Sequence, residues 1–318
     1  MSKRKIRVAL LAGGKSGERS ISLRGAEEVY KALDHRKYEV KRYDPAMDMA
    51  RLAAEAENLD VAFILLHGIL GEDGAVQGFL DLLALPYQGS GVLGSALAMD
   101  KDLAKTIYRN SGLPTPGWLS IGSAAIRSER IVLQLGLPLI IKPVRQGSSI
   151  GMSIAHSSAE LAAGIETAFR HDSEVMVEQY ITGREITVGV IGNDELSVLP
   201  LVEIIPGPGH PFFNYQAKYQ AGASQEICPA DLAPELAQAA QDYAIRAHKS
   251  LKLRGYSRTD MIVNEQGLFL LETNTIPGMT STSLLPQAAA AAGLPFSALL
   301  DKLLELALED RAAGPTTK

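Results

Sequence analysis

Cysteine is nearly absent from this chain: Cys228 is the single one in 318 residues. An internal disulfide framework is excluded, and a reducing compartment fits. Cys228 stands in Glu226-Ile227-Cys228-Pro229 and reads as a small packing residue, not a nucleophile. Positive charge is not in excess either. Lys and Arg number 31 against 36 Asp and Glu, a net −5 that offers no basic surface to nucleic acid. Long apolar runs are also missing, so no membrane span is expected. The N-terminus comes nearest to a signal peptide, with Lys3-Arg4-Lys5 ahead of Val8–Ala12. That run is too short for a signal core and ends in Gly13-Gly14-Lys15, so a first strand entering a glycine turn is the reading. A cytoplasmic protein is expected. Its length exceeds one comfortable core, which makes two or three domains the expectation.

The first ninety residues alternate strand and helix. Ile6–Ala12 is continuously apolar, as for a strand buried on both faces. Ala26, Val29, Tyr30 and Leu33 recur at helical spacing, and Tyr38–Tyr43 and Val61–Leu66 supply two more strands. This order predicts an open, largely parallel α/β sheet over residues 1–90. A boundary is expected near Gly89-Ser90-Gly91. Residues 91–178 then read as a small α+β module: helix, the Gly112–Gly117 loop, helix, strand Leu139–Pro143, a Gly/Ser loop, strand, helix, and strand Val175–Glu178. Residues 179–318 open with strand Glu185–Ile191 and run through a long polar, Pro/Gly-rich stretch, Pro206–Ser224. Helix Ala233–Ser250, two strands and C-terminal helices follow. A non-periodic stretch of that length inside a compact protein is usually functional or mobile.

Late in the chain, Arg258 and Asp260 are two apart on one strand, and Glu272 and Asn274 are two apart at the end of the next. Each pair shares a face of its strand. The connection Asn264-Glu265-Gln266-Gly267 suits a three-residue loop with Gly267 left-handed, which pairs Asn264 with Leu268. Asp260 then falls opposite Glu272, and Arg258 opposite Asn274. Two carboxylates and an amide oxygen are hard ligands of the kind Mg²⁺ takes beside phosphate oxygens. A solvated hairpin face with an ordinary cross-strand pair satisfies the spacing equally well.

Lys142-Pro143 closes the apolar run Leu137–Ile141 and is followed by Gln146-Gly147-Ser148-Ser149-Ile150-Gly151. A lysine ending a buried strand needs an anionic partner, and a Gly/Ser loop offers N–H groups and hydroxyls to phosphate. It is not a Walker A loop, and a plain surface loop is the simpler alternative. His67-Gly68 and Gly71-Glu72-Asp73-Gly74 follow strand Val61–Leu66, where ligands gather beyond strand carboxyl ends of open sheets. A polar turn capping the next helix through Asp73 competes with that reading. Glu18, past the first glycine turn, has the same positional argument and a solvated first-turn acid as its rival.

Taken together, these segments resemble the D-alanine–D-alanine ligases of the ATP-grasp superfamily. The resemblance runs from Leu10 to about Leu300 and rests on His67–Gly74, Gly89-Ser90-Gly91, Met99-Asp100-Lys101, Lys142–Gly151, Lys218-Tyr219, Arg258-Thr259-Asp260 and Glu272–Ser283, in this order and spacing. It implies an ATP-grasp fold behind the N-terminal α/β domain. The implied reaction joins two D-alanines through an acyl phosphate, for peptidoglycan precursors. Lys101 and Lys142 would hold nucleotide phosphates. Glu178, Gln179, Tyr180 and Ile181 would read adenine, and Glu185 the ribose. Asp260, Glu272 and Asn274 would ligate two Mg²⁺, with Mn²⁺ able to substitute. Glu18, with His67 nearby, would meet the ammonium of the first D-alanine. Arg258 and the Gly278 N–H would form the oxyanion site, while Ser283 and Lys218 would take the second carboxylate. Glu18, Ser148 and Tyr219 would latch the loop over residues 206–224.

The resemblance also implies a homodimer. Gln146 replaces a common Glu, Ile276 a common Ser, and Tyr180 fills a variable position; none removes an implied ligand. Tyr219 is the tyrosine that ester-forming relatives lack, which favours dipeptide over ester. The rival readings are a D-lactate or D-serine acceptor, another ATP-grasp carboxylate–amine ligase, or a non-catalytic nucleotide-binding module.

Overall fold

The computed structural model describes residues 4–123, 127–207 and 223–312. Among them the strands form three sheets.

The first sheet holds β1 (Ile6–Leu11) between β2 (Tyr38–Tyr43) and β3 (Val61–Ile64), both parallel to it. The apolar run of β1 explains the central place, because alternate residues enter two different cores. Val8 and Leu10 join Val61 and Phe63 against helix α1 (Arg19–Ala32). Ala9 and Leu11 join Ala62 and Ile64 against Val76 and Leu80 of α3 (Ala75–Leu82). The short helix α2 (Met49–Glu55) completes the β2–β3 crossover. The face covered by α1 is closed by the far end of the chain. Leu299, Leu300 and Leu303 of α10 (Phe296–Ala312) lie in the same core as Val8 and Leu10.

Helices α4 (Val92–Met99) and α5 (Lys101–Asn110) lead to a second sheet, antiparallel throughout. Its order is β4 (Trp118–Ile121), β7 (Val175–Gln179), β5 (Leu139–Pro143) and β6 (Ser153–Ala155). Strand β4 lies where a helix was expected to follow the 112–117 loop directly. Four residues of mixed polarity carry too little periodicity to announce a strand. Helices α6 (Ser128–Leu135) and α7 (Ser158–Ala168) cover one face, where Leu139, Ile141, Val175 and Val177 meet Ile131, Leu161 and Ile165. Period-two alternation sends Lys142 and Glu178 to the other face.

The third sheet runs β11 (Ser224–Ile227), β10 (Val202–Pro206), β8 (Arg184–Gly192), β12 (Gly255–Asn264) and β13 (Gly267–Asn274), with β9 (Ser197–Val198) pairing beside β8. Ala240, Ala244 and Ala247 of α8 (Pro234–Ser250) and Tyr108 of α5 pack on Ile186, Val188 and Met261. The remaining helix, α9 (Leu284–Ala291), follows β13.

The β12–β13 register at the site end is the expected one, with Arg258 opposite Asn274 and Asp260 opposite Glu272. The loop is not. Asn264 pairs with Gly267, leaving a two-residue loop whose Gln266 N–H donates to Asn264 Oδ1 at 2.9 Å. A register shift between Asp260 and Met261 restores the pairing. Leu271 is the extra residue on β13, as a bulge requires.

Candidate active site

Two clefts meet at the end of the β12–β13 hairpin. The first, of about 530 Å³, is bordered by Lys101, Lys142, the run 178–185, Asp260 and Glu272. The second, of about 570 Å³, is bordered by Glu18, His67, Glu72, Arg258, Asn274, Gly278 and Ser283. Ser148 borders both. The alternation of β12 sets which face is used, and the position along the strand sets the cleft: Asp260 serves the first, Arg258 the second. All the candidate residues that the structure describes border one or other cleft. Lys218, Tyr219 and most of the 206–224 loop lie outside the described residues.

In the first cleft, Lys142 does have the anionic partner its buried strand demanded. Its Nζ donates to Glu178 Oε1 at 2.5 Å. The other oxygen, Oε2, lies 2.9 Å from Lys105 Nζ. Burial alone would raise the Glu178 carboxyl, but the charges and hydrogen bonds of Lys105 and Lys142 together hold it below the usual range. Burial pushes Lys105 down to about 8. Gln179 turns its amide back on the fold, accepting from Gly117 N–H at 3.1 Å and donating to Leu135 O at 3.0 Å. The Tyr180 N–H donates to Pro138 O at 3.2 Å. These bonds hold the strand-to-strand connection that Tyr180 and Ile181 place along the cleft.

At the hairpin end, Arg258 grips Asp260 with both arms, Nε to Oδ1 at 2.8 Å and an Nη to Oδ2 at 2.7 Å. Thr187 donates to Asp260 Oδ1 at 2.6 Å, and Asn274 Nδ2 to Oδ2 at 3.1 Å. Asp260 is only 7% exposed, so a solvated hairpin face does not describe it. Glu272 is more open and faces Lys101 at 3.8 Å, while Lys101 donates to Gln146 O at 2.6 Å. The oxygens of Asp260, Glu272 and Asn274 form a hard donor set. Among the described residues no cluster of three or more His, Cys, Asp or Glu makes a ready-made cage. Mg²⁺ bound through one or two carboxylates and substrate phosphates needs none, so the donor set fits that ion.

In the second cleft, Glu18 starts helix α1 by its backbone carbonyl, which accepts from Ile21 and Ser22. Its side chain makes no capping bond and instead accepts from the Ser148 hydroxyl across 130 residues of sequence. At 4% exposure it is not a solvated first-turn acid. Ser148 and Ser149 both hold left-handed backbones, with φ of 48° and 58°. Such strain persists only where surroundings impose it, and the bond to Glu18 is one such constraint. Burial lowers the His67 pKa below its ordinary value, against the opposing charge of Glu18. Ser283 is the N-cap residue of α9, and its hydroxyl lies 2.7 Å from Thr280 Oγ1. A helix N-terminus is a natural seat for a carboxylate.

Sequence reasoning missed Glu72, Lys105 and Thr187. Glu72 does more than begin a turn: its Oε2 accepts from Gly68 N–H at 2.6 Å at the mouth of the second cleft. Asp73 does cap the next helix, accepting from Ala75 N–H at 3.0 Å. Lys105 had one signal, being four residues after Lys101 on the same helical face as Ala104 and Tyr108, which are buried.

Two family models match the chain: D-ala D-ala ligase N-terminus over residues 41–90, and D-ala D-ala ligase C-terminus over residues 107–305. The D-alanine–D-alanine ligase of Desulfotalea psychrophila is 60% identical over 308 residues, 96% of each chain. That of Syntrophobacter fumaroxidans is 56% identical over 311 residues, 98% of this chain and 100% of the relative. Among solved structures, D-alanine–D-alanine ligase from Bacillus anthracis complexed with ATP superposes with a TM-score of 0.85 at 35% identity, covering 97% of this chain and 99% of that one. The matching models, the length of the shared sequence and the common fold agree: the chain belongs to the D-alanine–D-alanine ligase family.

Proposed function

We propose that the protein joins two D-alanines into D-alanyl-D-alanine, cleaving ATP to ADP and phosphate, as a step toward peptidoglycan precursors. One observation carries this reading: two clefts of different lining converge on one hairpin end, with Ser148 on the border of both. The first suits a nucleotide and the second two small zwitterions, and their junction is where phosphoryl transfer would occur.

A carboxylate is a poor electrophile, so the first D-alanine attacks the γ-phosphorus of ATP and becomes an acyl phosphate as ADP leaves. Phosphoryl transfer depends on positioning and charge stabilisation, which Lys101 and Lys142 provide at the phosphates. Asp260, Glu272 and Asn274 would hold two Mg²⁺, which when bound neutralise phosphate charge. Glu178 to Ile181 would read the adenine and Glu185 the ribose. Glu18 orients the ammonium of the first D-alanine, with His67 beside it. The amine of the second D-alanine then attacks the acyl carbon and expels phosphate. Arg258 and the Gly278 N–H stabilise the tetrahedral oxyanion. Ser283 lies where it can take the second carboxylate. By the family resemblance Lys218 would share that carboxylate and Tyr219 would join the Ser148–Glu18 bond as a latch that keeps water from the acyl phosphate.

The working division is an N-terminal domain over 1–90, a central ATP-grasp subdomain over 91–178 and a catalytic domain over 179–318, assembled as a homodimer. Among the described residues no helix is long and apolar enough to cross a membrane. ATP and the lone cysteine suit the cytoplasm. The test is ADP release by purified protein with ATP, Mg²⁺ and single amino acids, with products identified by mass. D-Alanine should drive turnover and yield the dipeptide, whereas L-alanine should not. Equal turnover of both enantiomers would overturn the reading.

A further inference from the structure

The mechanism above uses Lys142 and leaves Lys105 without a task, yet Lys105 is the more deeply held of the two. It is 0% exposed and stands behind Glu178, away from the cleft that Lys142 and Glu178 border. Its Nζ lies 2.9 Å from Glu178 Oε2 and donates to Thr115 Oγ1 at 2.5 Å. Thr115 spends its own proton on Leu270 O at 2.8 Å, so it can only accept from the lysine. The ring of Trp118, its centroid 5.5 Å away, adds a third contact to the ammonium. Lys105 is thus fixed from three sides against one carboxylate.

Two lysines on one glutamate make sense if one of them leaves. A triphosphate entering beside Lys142 competes for its ammonium, and a buried carboxylate stripped of all cations would take up a proton. A protonated Glu178 would carry a donor where an acceptor is needed. Lys105 has no access to the cleft and stays behind. Glu178 Oε2 stays against Lys105, and Oε1, the oxygen that Lys142 holds at the cleft, is the one left with a lone pair to offer when Lys142 turns away.

We propose that Lys105 is a positioning residue that keeps Glu178 an ionised, acceptor-only carboxylate after Lys142 turns to phosphate. The site thereby selects a purine with a 6-amino group over one with a 6-oxo group. The inference rests on reading the first cleft as the ATP site. A 6-oxo purine would set an acceptor against an acceptor, and a site built to bond a donor rejects the analogue lacking it.

The experiment compares kcat and KM for ATP and for inosine triphosphate at saturating D-alanine. It uses wild type, Lys105→Met, Thr115→Val, Glu178→Gln and the Lys105→Met/Glu178→Gln double variant, each assayed below its melting transition. Lys105→Met should raise KM for ATP about tenfold or more with kcat nearly kept, and cut the ATP preference by about the same factor. The double variant should discriminate no worse than Glu178→Gln alone. Thr115→Val should shift the preference the same way by less, which keeps the test open if Lys105→Met does not fold. Equal losses on both nucleotides in Lys105→Met, or a wild-type preference in Thr115→Val, would overturn the role of Lys105. A wild-type preference in Glu178→Gln would instead overturn the reading of Glu178 as the adenine contact, and with it this inference.

Discussion

Glu178 is buried and Glu72 half-buried, each bordering one of the two clefts, and their carboxyls move in opposite directions. For each, the largest single influence is desolvation, which favours the neutral acid. Around Glu178 two ammonium groups more than offset it, and the carboxyl falls below its usual range. Around Glu72 the next influence is the charge of Glu18, with Glu272 adding to it. The Gly68 N–H and Lys101 oppose these less strongly, and the carboxyl rises to about 8. Burial does not decide whether an acid is charged; the sign of its neighbours does. At the first cleft two ammonium groups surround the acid, whereas at the second Glu72 faces the charge of Glu18.

The largest expected effect comes from removing the charge that the lysines surround. Glu178→Gln leaves two buried ammonium groups unpaired, a change that typically costs about 3–5 kcal/mol. Thermal unfolding should show a clear loss, mostly recovered when Lys105→Met is added. A Glu178→Gln variant as stable as wild type would break the contrast, since Glu178 would then need no cations.

Arg258→Ala tests the cationic centre at the junction. It should lower kcat by about a hundredfold or more, the range for losing one oxyanion donor. A change confined to KM would mean that Arg258 binds ground and transition states alike. Asp260→Asn and Glu272→Gln should both cripple metal-dependent turnover but separate in stability. Asp260 is buried in the grip of Arg258 and Thr187, whereas Glu272 is more open. Only Asp260→Asn should lower the melting temperature, and equal melting of the two would remove that distinction.

Ser148→Ala should have a smaller effect. It removes the bond to Glu18 across the two clefts, worth about 0.5–1.5 kcal/mol net. Turnover should fall several-fold, with more ADP released per dipeptide as water reaches the acyl phosphate. Unchanged coupling of ADP release to dipeptide would show that the bond closes nothing.

The remaining expected effect is on the pH dependence of stability, measured on metal-free protein. The folded Glu72 carboxyl titrates near 8 and the unfolded one near 4.5. Between those values the folded state holds a proton that the unfolded state has released, so stability falls as pH rises through this window. Glu72→Gln has no such proton and keeps an acceptor for Gly68 N–H. Its melting temperature should gain on wild type as pH rises from about 4.5 to about 8. Parallel melting curves for the two proteins would contradict the crowded-acid picture.

Much of the frame was legible before the structure. The apolar run of β1, the apolar run that Lys142-Pro143 closes and the spacing of Arg258, Asp260, Glu272 and Asn274 led to the observed strands and site register, because strand patterning is a local property. The hairpin loop was misread by one residue, and the bulge at Leu271 hid the error at the site end. Strand β4 was missed because its four residues are held by pairing with β7 more than by any pattern of their own. The roles proposed for Glu178 and Ser283 rest on family resemblance and not on any local pattern, and the placement of Lys105 behind Glu178 was not visible at all.

What the sequence determined by itself was therefore which side chains share a face of their own strand and which hard oxygen donors stand at neighbouring strand ends. Those follow from backbone geometry over a few residues. Only the tertiary structure brought Lys105, Lys142 and Glu178 together from a helix and two strands, and Ser148 to Glu18 across 130 residues. It also decided which acids keep their charge, since desolvation and Coulomb fields depend on distances in space that no local pattern encodes.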